Sequence, residues 1–204
     1  ELDGASHLVF DNVEFVNNST ISIMTVWIHN DAHDIVFDNC DIEANVGSAS
    51  FNSAALALSF LPTTANSEGN NGYNITVKNS RIVGGAKGLN FYGSATLKTK
   101  NIVIENNTFD KQGRYAVYTR QADSVNVIGN TMGGFTSSNS GYGVYAYYTD
   151  NLNVEKNNIS ANPVGIYVTN TNVNSGSATI VNNMVKGGLY IGFNSKNIDV
   201  FHIF

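Results

Sequence analysis

Ile102-Val-Ile-Glu-Asn-Asn-Thr-Phe109 alternates apolar and polar side chains, turns at Asn, and resumes with one more apolar residue. Nearly the same phrase stands at Leu8-Val-Phe-Asp-Asn-Val-Glu-Phe15, Ile35-Val-Phe-Asp-Asn-Cys-Asp-Ile42, Ile75-Thr-Val-Lys-Asn-Ser-Arg-Ile82, Val125-Asn-Val-Ile-Gly-Asn-Thr-Met132, Leu152-Asn-Val-Glu-Lys-Asn-Asn-Ile159 and Ala178-Thr-Ile-Val-Asn-Asn-Met-Val185. A shortened copy opens at Ile198, and successive copies start 27, 40, 27, 23, 27, 26 and 20 residues apart. Period-two alternation marks strands. A repeat of this length, built from short strands and Asn/Gly turns, specifies a stacked solenoid in which each coil buries its inward residues against the next.

The inward ladders predicted from the first strand of each coil are Leu8/Phe10, Ile35/Phe37, Ile75/Val77, Ile102/Ile104, Val125/Val127 and Leu152/Val154. The turn residues fall in two registers, one with Asn12, Asn39, Asn79 and Asn106, the next with Asn107, Asn130, Asn157 and Asn183. Asn tolerates the bent backbone there and its amide can hydrogen-bond to the coils on either side, so both are read as structural ladders.

This repeat resembles the right-handed parallel β-helix repeats of the pectin-lyase-like superfamily, over essentially the whole chain from Leu8 onward. The resemblance implies an all-β fold, a right-handed parallel β-helix (solenoid) of about seven to eight coils, forming one domain over residues 1–204. The first strand starts at Leu8 without an amphipathic cap and the chain stops at Phe204 inside the last phrase. The expectation is therefore a segment of a longer chain, with ends covered by more chain or by a stacked neighbour.

Charged residues make up 13 % of the chain and the formal net charge is −5, with Lys and Arg scattered. That argues against nucleic acid, which needs a clustered basic surface. No apolar run is long enough for membrane insertion. The single cysteine, Cys40, excludes an intramolecular disulfide and reads as a small packing residue in a turn.

A second strand in each coil has the inward set Val26/Ile28, Leu56/Leu58, Leu89/Phe91, Val117/Thr119, Val144/Ala146, Ile166/Val168 and Leu189/Ile191. Alternation then turns Trp27, Ala57, Asn90, Tyr118, Tyr145, Tyr167 and Tyr190 outward in one column. His29, Ser59, Tyr92, Arg120, Tyr147, Thr169 and Gly192 form a second column beside it. Exposed aromatics in an ordered row call for a covering partner. Tyrosines at strand spacing would offer ring faces to sugar C–H groups and hydroxyls to sugar oxygens. The connections 16–25, 43–55, 62–72, 133–143 and 170–177 flank this strand and could wall a groove. The substrate-binding candidates are thus Trp27, His29, Tyr92, Tyr118, Arg120, Tyr145, Tyr147, Tyr167 and Tyr190.

The resemblance also raises lyase and hydrolase chemistry. A polygalacturonase-like Asn-Thr-Asp is here Asn130-Thr131-Met132, which lacks the carboxyl group hydrolysis needs. β-Elimination needs only a base and a cation, for which Arg120, Lys98 and Lys100 are the candidates. Asp123 and Asp150 hold the same turn position in successive coils, where Ca2+ could bridge them or where they could simply cap turns. His7, His29, His33 and His202 show no metal-ligand spacing, and zinc is not expected. Three readings remain: a secreted or cell-surface module binding acidic polysaccharide, a structural module of a large adhesin or filament that contacts neighbouring domains or subunits, and a polysaccharide lyase.

Overall fold

The computed structural model describes residues 1–19, 24–46, 52–59, 72–137, 140–172 and 176–204. Every regular element among them is a β-strand, and every strand pairing is parallel. No helix among the described residues is long and apolar enough to cross a membrane. The chain winds as the expected right-handed parallel β-helix, each coil contributing a strand to each of three faces.

The repeated phrase builds the first face. Phe10, Phe37, Val77, Ile104, Val127, Val154, Ile180 and Val200 stand in register as one inward column from coil to coil. Ile35, Ile75, Ile102 and Val125 form the neighbouring ladder, and all four are fully buried. The residue after each Asn turn starts a short second face, such as Asp41–Glu43, Arg81–Val83 and Thr108–Asp110. Its inward members, Ile42, Ile82, Phe109 and Met132, stack in turn. The third face carries Val26, Leu56, Leu89, Val117, Val144, Ile166 and Leu189 in a single column, as alternation requires.

The corner between the first two faces needs a left-handed residue at every level. Asn12, Asn39, Asn79, Asn106, Gly129, Lys156 and Asn182 all take φ between 52° and 67°. Asn is the L-residue that accepts this conformation at least cost, which explains its recurrence. The following residue turns inward. Asn107, Asn130, Asn157 and Asn183 are buried and linked, each Oδ1 accepting the backbone N–H of the preceding level at 2.9–3.0 Å. Each Nδ2 also donates at 2.8–2.9 Å to a carbonyl of the coil before, those of Val77, Ile104, Val127 and Val154. Ser80 and Cys40 continue the line, and Cys40 is a buried packing residue.

Candidate functional site

The outer surface of the third face carries the aromatic side chains. Trp27, Ala57, Asn90, Tyr118, Tyr145, Tyr167 and Tyr190 pair in that order, and Tyr92, Arg120, Tyr147 and Thr169 run beside them. Both columns lie where alternation puts them. Access to them is uneven. Ala57 and Asn90 are fully buried, and Tyr118, Tyr92 and His29 are only 8 %, 7 % and 6 % exposed. Tyr145, Tyr147 and Tyr167 are half-buried and Tyr190 is exposed, so the accessible part of the row lies in the later coils.

Trp27 and His29 are engaged by the chain itself. Trp27 Nε1 donates to the Ser59 carbonyl at 2.9 Å, its ring stacks on His29 at 3.8 Å, and His29 Nε2 lies 2.9 Å from Glu1 Oε1. His29, Tyr92 and Tyr118 are thus largely covered by neighbouring groups of the chain. Alternation fixes which side a residue faces, not what lies over it.

The rings also use their faces differently from the sequence reading. Tyr118, Tyr145, Tyr167 and Tyr190 stack in series at centroid distances of 5.2, 4.6 and 4.5 Å, with interplanar angles of 7°, 2° and 10°. The spacing of parallel strands is close to that of stacked aromatics, so the rings cover one another. What the row turns outward is edges and hydroxyl groups.

Three cations are threaded through the tyrosines. The Arg120 guanidinium lies 4.7 Å from the Tyr92 ring centre and 5.1 Å from that of Tyr147, one ring in the coil before and one in the coil after. Its Nε is buried without a hydrogen-bond partner among the described residues, while the Tyr118 side chain interacts with the rest of the guanidinium. Lys87 Nζ sits 5.1 Å from the Tyr118 ring centre, and Arg114 lies 5.7 Å from that of Tyr115. Lys87 is fully buried, and desolvation, aided by the Arg114 charge, pulls its pKa from 10.5 down to about 7. Burial pushes the Tyr115 hydroxyl up to about 12 and raises Tyr145 strongly, so these phenols remain proton donors.

Lys87, Arg114, Tyr115 and Tyr142 were missed by the sequence reading. Strict alternation puts Lys87, Tyr115 and Tyr142 on the inward side, with Leu89, Val117 and Val144. The strand instead turns two successive residues inward, and the first is small: Gly88, Ala116, Gly143 or Gly165. A Cβ at Gly143 would collide with the Ile159 side chain, and one at Gly165 with that of Val185. The small residue lets the corner close, and the residue before it swings out beside the tyrosine row. Tyr142 accordingly meets Tyr145 and Tyr167 edge-on, at 5.6 and 6.0 Å.

The lysines grouped with Arg120 in the sequence are elsewhere. Lys98 and Lys100 line a cleft of about 450 Å3 with Asp31, Tyr73, Leu97 and Asp123, and Arg120 is outside that lining. Lys98 Nζ lies 2.5 Å from Asp150 Oδ2, while Asp150 Oδ1 accepts the Asn172 backbone N–H at 2.8 Å. Asp123 and Asp150 are in register, as expected. The cation beside Asp150 is the Lys98 ammonium, and Asp123 accepts from Asn151 Nδ2 at 2.8 Å. In this arrangement both carboxylates serve as turn and ion-pair acceptors.

A family model described as a right handed beta helix region matches residues 66–202. The chain belongs to that family. No curated protein matches it. Among solved structures, this β-helix is similar to PfbA, a surface adhesin of Streptococcus pneumoniae, with a TM-score of 0.50 and 16 % identity over 88 % of this chain and 57 % of that one. A second structure of PfbA gives 0.52 and 13 % identity over 96 % and 67 %. The likeness is one of fold, and the chain spans 57 % of the first of those structures.

Proposed function

We propose that this chain is a surface-displayed β-helix module that binds an extended acidic polysaccharide across the later coils of its third face. The observation that carries the reading is the Arg120 guanidinium held between the Tyr92 and Tyr147 rings, beside the hydroxyl-bearing edges of Tyr145, Tyr167 and Tyr190. A guanidinium already fixed in place loses little freedom on pairing with a uronate carboxylate, and phenol edges supply hydrogen bonds to sugar oxygens along the same line. Display at a cell surface is supported by the fold shared with PfbA, itself a surface adhesin. Titration calorimetry against uronate-containing and neutral polysaccharides tests the proposal. Binding of the acidic polymers supports it; absence of heat with every polymer removes it and leaves an architectural module.

A further inference from the structure

The coil repeat brings together three side chains that no local motif connects. Ser6 pairs with His33 and Leu8 with Ile35, so His7 stands directly over Asp34, one coil apart. His7 and Asp34 both take left-handed backbone conformations, at φ 56° and 53°. His7 Nδ1 lies 3.5 Å from Asp34 Oδ2, and His33 Nε2 lies 3.9 Å from the same oxygen. All three ligand atoms fall within 4.8 Å of one another, and the two imidazoles meet edge-to-face at 5.9 Å.

The surroundings orient these atoms as a metal site requires. His33 Nδ1 is 2.8 Å from the Asp31 carbonyl oxygen, which can only accept, so Nδ1 carries the proton and Nε2 keeps its lone pair toward Asp34. Tyr73 stacks on the His33 ring at 4.6 Å and 10°, fixing its plane. Asn74 Nδ2 donates to Asp34 Oδ1 at 2.7 Å and leaves Oδ2 for the histidines, while Asn101 Nδ2 holds the Asn74 amide in turn at 2.8 Å. A carbonyl on the far nitrogen of a ligating histidine, and an amide on the far oxygen of a ligating carboxylate, are the outer contacts that set tautomer and direction at metal centres.

We propose that His7, His33 and Asp34 form a binding site for a divalent transition-metal ion, with Zn2+ the best fit. Bond lengths of about 2.0–2.1 Å to nitrogen and oxygen in a tetrahedron separate ligand atoms by roughly 3.3 Å. The observed 3.5 and 3.9 Å to Asp34, with all three ligand atoms within 4.8 Å of one another, therefore close on an ion with movements of about 1 Å, which the exposed His7 can supply. Two imidazole nitrogens and one carboxylate suit Zn2+, Ni2+, Co2+ or Cu2+ and leave too few oxygens for Ca2+. Three protein ligands keep a fourth position open to water or to a donor from a bound molecule.

The test is calorimetric titration of metal-free protein with Zn2+, together with visible absorption on Co2+ addition. One equivalent of Zn2+ should bind per chain, and Co2+ should give the intense d–d bands of a four- or five-coordinate site. His33→Ala and Asp34→Asn should each weaken binding at least tenfold, Asn74→Ala roughly 10–100-fold by releasing the carboxylate, and His202→Ala not at all. His7→Ala, at an exposed position, should lose binding with an unchanged melting temperature, separating site loss from unfolding. Absence of Zn2+ binding to the parent protein, or unchanged affinity in a His7→Ala/His33→Ala double variant, overturns the proposal.

Discussion

Asn157 Oδ1 accepts two hydrogen bonds from Asn130, one from its backbone N–H at 2.9 Å and one from its Nδ2 at 3.0 Å. Both residues are essentially inaccessible to water, so neither group has a solvent substitute. Asn157→Ala strands the Asn130 N–H and also the Val127 carbonyl, which loses its 2.8 Å donor. The expected cost is roughly 2–6 kcal/mol, about 1–3 for each buried group left unpaired. Urea unfolding should show a lower midpoint with an unchanged slope.

Ile104 occupies the centre of the first inward column, between Val77 and Val127, and is fully buried. Replacing it with Ala opens a cavity among close neighbours and should cost about 2–5 kcal/mol. Tyr190→Ala loses one ring contact, to Tyr167, and should cost about 1 kcal/mol or less. Thermal melts of the two variants check the order; a larger loss for Tyr190→Ala would put the tyrosine column in the core.

The strand register was readable because a parallel coil repeats one spacing rule at every level. Val26, Leu56, Leu89, Val117, Val144, Ile166 and Leu189 stack as alternation predicts because the hydrophobic period, the Asn turns and the coil length all enforce one register. The site was less readable, for reasons of the same geometry. Lys87 and Tyr115 were lost where Gly88 and Ala116 break the alternation, and a small residue at the second position of the strand was the available signal. Coverage of Tyr118 depends on Lys87 and Tyr115, neighbours that alternation had turned the other way. His7 and His33 meet because 26 residues separate them, close to the 27 between Leu8 and Ile35, so coil spacing and not a local motif was the signal.

The buried Lys87 and the tyrosines around it predict a stability maximum on the alkaline side. Below pH 7 both folded and unfolded chains carry the Lys87 proton, and the full cost of burying the ammonium is present. Between about 7 and 10.5 the unfolded chain binds a proton that the folded one has shed, so stability rises with pH. Above pH 10 the sign reverses. The unfolded chain then loses phenolic protons that Tyr115, with its pKa near 12, retains when folded, and stability falls. Denaturant midpoints measured from pH 6 to 11 should trace this dome, and Lys87→Met should abolish the rising limb while keeping the descending one.

Arg120 decides what kind of polymer the tyrosine face prefers. Its guanidinium is fixed between Tyr92 and Tyr147, so Arg120→Ala removes a charge-assisted partner for a carboxylate while leaving the Tyr145, Tyr167 and Tyr190 stack in place. Affinity for uronate-containing polysaccharide should fall about tenfold or more, the equivalent of roughly 1.5–3 kcal/mol for a hydrogen bond to a charged group. Affinity for a neutral polymer should change by less than about threefold, because hydroxyl contacts carry that interaction. Arg120→Lys should restore only part of the loss, since an ammonium pairs with a carboxylate as a point charge and lacks the planar stack between the rings. Calorimetry on the three proteins measures the difference directly. Equal weakening toward acidic and neutral polymers would show that Arg120 supports the tyrosine wall and does not read charge.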